Sequence, residues 1–245
     1  MKKILSAIIT IILSINAVGV ATAAENAKPE HELKQKVFVH WPKTKEGKRP
    51  PTTPACQVTG SDQQNDYLWA GWKMPSSGMS YKINVFTAPK NLKTKVSGVI
   101  QVSFQTWTNT DPKQIFNYGG TTDIRAPKYD GQNVIAWKGI ESGAIAITYI
   151  WYWGDTGELA ETDTMFNRNL PWSINAPTLG DCGGNQNSYD VQNIATHEFG
   201  HWVGLDDLYA SVDSELTMYG YGVVGELKKD TLGAGDITGV LAIAP

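Results

Sequence analysis

The sequence predicts an α/β sandwich with a mixed sheet, and three observations carry the prediction. A helical stripe of apolar residues lies between groups of strand-like segments, a strand–turn–strand unit follows, and two further helical stretches close the chain. With 245 residues, 41% of them apolar and 18% charged, there is material for one good-sized domain and short extensions.

In chain order, Met1-Lys2-Lys3 precedes an apolar run from Ile4 to Val20, which ends in Ala21-Thr22-Ala23. That is the pattern of a signal peptide, so residues 1–23 read as a leader removed on export, leaving no stable membrane anchor. Residues 24–65 read as a pro-segment or Pro-rich linker: Ala24–Lys36 is polar, Val37–Trp41 is a short strand candidate, and Pro42, Pro50, Pro51 and Pro54 follow. Residues 66–245 read as the globular domain. Within it Tyr81–Phe86 alternates as a strand does, and Val96, Val99, Ile100, Phe104 and Trp107 form the stripe of a helix over Leu92–Trp107. Gln114–Tyr118 and Asn133–Trp137 are short strands. Ala144–Trp153, rich in β-branched and aromatic residues, meets the turn Gly154-Asp155-Thr156-Gly157, and Glu158–Phe166 returns as its hairpin partner. A polar loop over Asn175–Ser188 leads to a helix from Tyr189 to Val203, and Ala234–Ala244 forms the last helix, with Asp236 in its first turn.

The chemistry lies on the helix that starts near Tyr189. It carries His197-Glu198-Phe199-Gly200-His201, and at about 100° per residue the two histidines share one face. Imidazoles at i and i+4 can bind one Zn²⁺, while the adjacent Glu198 is placed to take a proton from a water on the metal. A catalytic zinc needs a third protein ligand. Gly204 suits the turn that ends the helix, after which the chain can double back and present Asp207, with Asp206 as the fallback. Of the four histidines, His31 and His40 fall in the extension, so no histidine of the globular domain completes the site. Downstream, Met218 sits in Thr217-Met218-Tyr219-Gly220-Tyr221.

With these residues in view, the chain resembles the matrixin-like metalloproteases of the metzincin clan, in their bacterial and archaeal form. HExxHxxGxxD matches the clan's zinc string with Asp in the third place, as in snapalysin, and the Met218 segment resembles the Met-turn. Asn133–Trp137, Glu161–Asn167, Leu170–Ser173 and Thr231–Val240 are similar to family segments. The resemblance implies a twisted mixed sheet with one antiparallel edge strand, a long helix packed on it, a zinc helix flooring the cleft and a C-terminal helix after the Met-turn. It implies a secreted endopeptidase with one catalytic zinc on His197, His201 and Asp207, Glu198 as general base and Tyr221 as an oxyanion-stabilising candidate. Substrate backbone would add to the edge strand Ala144–Trp151. Asp236 would tie the closing helix to the Met-turn. Structural calcium is allowed, though no ligand cluster identifies it.

Partners follow from charge and compartment. A net charge of −3 with no clustered basic face argues against nucleic acid, leaving a protein or peptide substrate and a monomeric protein. Cys56 and Cys182 read as a disulfide in an oxidising compartment, against a rival in which Cys56 reaches the metal as a pro-segment thiolate. An inactive carbohydrate-binding surface protein, using Tyr149–Trp153, and a zinc-dependent amidase are the other functional readings.

Overall fold

Strands form where inward and outward side chains alternate, and the computed structural model describes nine of them in residues 31–43, 64–175, 185–243 and 245. They are β1 (Leu33–Pro42), β2 (Met79–Ile83), β3 (Phe116–Thr121), β4 (Asn133–Lys138), β5 (Ala146–Trp153), β6 (Leu159–Asn167), β7 (Trp172–Ser173), β8 (Tyr189–Asp190) and β9 (Tyr221–Gly222). Three α-helices accompany them: α1 (Val96–Thr110), α2 (Val191–Trp202) and α3 (Ala234–Ala242). Seven strands form one sheet in the order β3-β2-β4-β6-β5-β1-β9, and β7 and β8 make a small parallel pair. The expected mixed α/β sheet is therefore present. The leader and both cysteines lie outside the described residues, and with them the expected disulfide.

Helices α1 and α2 pack on each other and on the sheet, and α3 packs on α1. Phe104 of α1 stacks on Phe199 of α2 at 3.7 Å between ring centroids, and Trp202 meets Phe104 edge-on. The indole N–H of Trp107 donates to the Thr196 carbonyl at 2.9 Å, so the buried polar edge of that ring is satisfied where the helices cross. Helix α1 begins at Val96 rather than Leu92, because Leu92 to Lys95 closes turns on Pro89 and Leu92.

One expectation, about the sheet edge, needs correction, and the reason is a strand from the extension: the compact unit takes in the residues from His31 onward. Phe38 and His40 are buried while Val37 and Trp41 are exposed, an alternation that buries one face of β1 against the domain. As a result β5 is not an edge strand. It is antiparallel to β6 on one side, and its other side is filled by β1, running antiparallel from Leu33 opposite Trp153 to His40 opposite Ala146. The far end of β1 pairs in parallel with β9, through Trp41 with Tyr221 and Pro42 with Gly222.

Candidate metal centre

Helix α2 positions the site from both ends. Asp190 caps it by accepting from the Asn193 N–H at 3.1 Å, and beyond Trp202 the chain turns at Gly204, whose φ is +99°. A Cβ at residue 204 would strike the Trp72 carbonyl, so this turn requires glycine. The reversal brings Asp207 back over the helix. Below it the Met218 thioether lies so close to Gly200 that a side chain there would displace it. Asp236, at the start of α3, accepts from the backbone N–H groups of Thr217, Met218 and Gly233 at 2.8, 3.0 and 2.8 Å, tying α3 to the Met218 turn.

His197, His201 and Asp207 converge, each buried, with one ligand atom apiece within 4.8 Å of the others. The tautomers follow from the partners. His197 Nδ1 lies 2.7 Å from the Thr217 carbonyl and His201 Nδ1 lies 2.8 Å from that of Leu205. A carbonyl only accepts, so both protons sit on Nδ1 and both Nε2 lone pairs face inward. Asp207 Oδ1 is 3.3 Å from His197 Nε2 and 3.7 Å from His201 Nε2. His197 Nε2 and Asp207 Oδ1 are buried with no hydrogen-bond partner. Three ligands about 2.1 Å from one tetrahedral ion stand about 3.4 Å apart, so these atoms fit a zinc.

Electrostatics agree with ligation. Burial, then the Lys229 charge, lowers His197 to about 4, and burial also lowers His201, so both imidazoles are neutral. Burial works against ionising Asp207, while the Tyr209 hydroxyl that donates to it favours the carboxylate. Tyr209 donates to Asp207 Oδ2 at 3.0 Å and so orients the third ligand. Asp206 turns away, its carboxylate pairing with Lys36 at 2.6 Å and accepting from the Asp207 N–H.

Glu198 ends a directed chain of hydrogen bonds. The Trp202 indole donates to Thr164 Oγ1 (3.1 Å), Thr164 and Thr148 hydroxyls lie 2.8 Å apart, and Thr148 donates to Glu198 Oε2 (2.6 Å). Burial nonetheless raises the Glu198 carboxyl to about 8. Its other oxygen meets His40 Nδ1 at 3.2 Å. An ammonium only donates, so His40 Nε2, 3.4 Å from Lys229 Nζ, accepts and Nδ1 carries the proton to Glu198. The His40 and His197 rings are 3.9 Å apart, and Phe38 stacks on His201 at 3.8 Å. A histidine of the extension therefore stands beside the site, while Asp207 is the residue that converges with His197 and His201. Tyr221 packs edge-on against Tyr209 and Tyr219, and its strand binds β1.

Sequence reasoning missed His40, Lys229, Thr148 and Tyr209. Tyr209, two residues past Asp207, and His40 had local signals. Lys36, Phe38 and His40 at every second position did mark one face of a strand, but the prolines after it drew the reading toward a linker.

Comparison with protein-family models matches residues 71–243 to the matrixin peptidase family. No curated protein matches the chain. The matched span contains all three converging ligands, Glu198 and Met218, and excludes β1.

Proposed function

Since the chain belongs to the matrixin family of zinc metalloproteases, we propose that it is a secreted endopeptidase made as a precursor, with β1 as the segment that keeps it latent. The convergence of His197 Nε2, His201 Nε2 and Asp207 Oδ1, two of them buried without partners, is the observation that carries the reading.

His197, His201 and Asp207 would hold the zinc, with Tyr209 fixing the Asp207 carboxylate. Bound there, zinc supplies the Lewis acidity that activates water and polarises the scissile carbonyl. Glu198 takes the proton of the attacking water and returns it to the leaving amine. Thr148 and Thr164 orient its carboxylate for that exchange, and Met218 gives the centre an apolar floor.

β1 bears on substrate binding as well as latency. It runs antiparallel to β5 and parallel to β9, so both walls of the groove use their backbone groups to hold an extended chain. While it stays, His40 occupies one oxygen of Glu198. Release of β1 exposes the β5 edge and frees the base. The rival, an inert binding protein on this fold, would keep β1 in place for good. Its aromatic contact surface is weakened by the packing: Ile150 and Trp151 are buried, and Tyr149–Trp153 lies between β6 and β1.

Digestion of a proteome-derived peptide library by the purified protein, with β1 released by Phe38→Ala, tests the proposal. Cleavage that a chelator stops and zinc restores is expected. Cleavage indifferent to the chelator, or turnover of glycan or small-amide substrates alone, would refute it.

A further inference from the structure

The groove filled by β1 has one side-chain pocket whose chemistry is unusual. His40 points into it. Ile145 and Ile194 meet beside the imidazole at Gly222, the His197 ring forms another wall, and Lys229 closes the end. Lys229 is fully buried. Its ammonium donates to the Tyr219 carbonyl at 2.5 Å and the Tyr221 carbonyl at 3.0 Å, and its third N–H faces His40 Nε2. No ion pair to Lys229 is found among the described residues, and Glu226 is engaged by Lys228 at 3.5 Å. In the present state His40 is thus the side chain that meets the third donor.

We propose that Lys229 is a specificity-determining residue, and that the pocket now filled by His40 receives a glutamate side chain of the bound peptide, with glutamine as its weaker neutral analogue. The inference rests on the peptidase reading, since it takes the β1 groove as the substrate groove. Any chain that replaces β1 must bring a partner for the third ammonium N–H or leave it buried and unmet. An apolar side chain fills the walls and leaves that donor orphaned. Lysine and arginine meet a like charge. Aspartate is one methylene short of the reach of the imidazole Nε2, whereas a glutamate oxygen attains it. The Lys229 ammonium favours the anion over glutamine, because a hydrogen bond between two opposite charges is the stronger one. Burial lowers that ammonium only to about 8, so it remains mainly cationic at neutral pH.

The test uses the zinc-loaded full-length protein carrying Phe38→Ala, which removes the ring that anchors β1 on His201 and so opens the groove, and peptides that differ only at the position of His40. A matched glutamate peptide should be cut at least about ten-fold faster in kcat/KM than its leucine counterpart, and Lys229→Met should reverse that order. The ratio, unlike total activity, does not move with a merely structural defect. Preference for leucine, or an unchanged ratio in Lys229→Met, would overturn the proposal. Because Lys229→Met removes a buried donor and can fail to fold, a second measurement leaves Lys229 intact. Hydrogen exchange of the β5 amides should stay slow in His40→Gln and become fast in His40→Leu. Equal exchange in the two overturns the pocket preference. An uncut library alongside the expected exchange difference removes the peptidase reading and leaves the pocket preference standing.

Discussion

Phe38→Ala should release β1 without unfolding the domain. Phe38 is 4% exposed. Its ring stacks on His201 at 3.8 Å and an interplanar angle of 14°, meets Trp72 edge-on at 5.6 Å, and carries the Lys36 ammonium 4.7 Å above it. Truncating a buried Phe costs about 3–5 kcal/mol. All of these contacts except the Lys36 pairing run between β1 and the domain, and β1 lies outside the span matched by the family. The loss should therefore appear in the docking equilibrium of β1. At about 1.4 kcal/mol per factor of ten, the released population rises by roughly two to three and a half powers of ten. Hydrogen exchange read by mass spectrometry follows it. The β5 amides facing β1 should exchange faster by that factor, while α1 and β4 keep their protection. If β5 protection is unchanged, or if α1 and β4 lose theirs equally, the separability of β1 is wrong.

Two further predictions concern other parts of the structure. Tyr209→Phe removes the hydroxyl that orients Asp207 and should weaken zinc about 10–100-fold in competition with a chromophoric chelator; unchanged affinity would show that Asp207 needs no such support. Asp230 is buried with both oxygens unpartnered, and desolvation, then the charges of Asp190 and Glu226, raises its carboxyl from 3.8 to about 9. It is therefore protonated in the native state and ionised in the unfolded state between those values, so its contribution to stability falls as pH rises through that window. Denaturant unfolding of Asp230→Asn should show a stability gain over the parent that grows by about 1.4 kcal/mol per pH unit; parallel curves would contradict the assignment.

The parts of the molecule legible in the sequence are those set by local spacing. His197 and His201 share a helical face because four residues make about one turn, and Gly204 announced the reversal that delivers Asp207. The β5–β6 hairpin followed from its turn residues, and the Asp236 tie from the family resemblance. What escaped was long-range. His40 is 158 residues from Glu198 and 189 from Lys229, and no periodicity links them. Thr148 and Thr164 looked like ordinary β-branched strand residues; their hydroxyls acquire direction only because Trp202 donates from the opposite layer. The edge assigned to β5 failed for the same reason. Which strand ends a sheet depends on what else pairs with it, and β1 comes from a segment whose prolines masked a short alternating stretch.

Zinc content and peptide cleavage, measured together on the parent, Glu198→Ala, Asp207→Ala and Asp206→Ala proteins, test the metal centre most directly. With β1 released in every case by Phe38→Ala, the parent and Asp206→Ala should each hold one zinc and cut, Glu198→Ala should hold zinc and not cut, and Asp207→Ala should lose the metal. Cleavage retained by Glu198→Ala, or zinc lost from Asp206→Ala and kept by Asp207→Ala, would contradict the account.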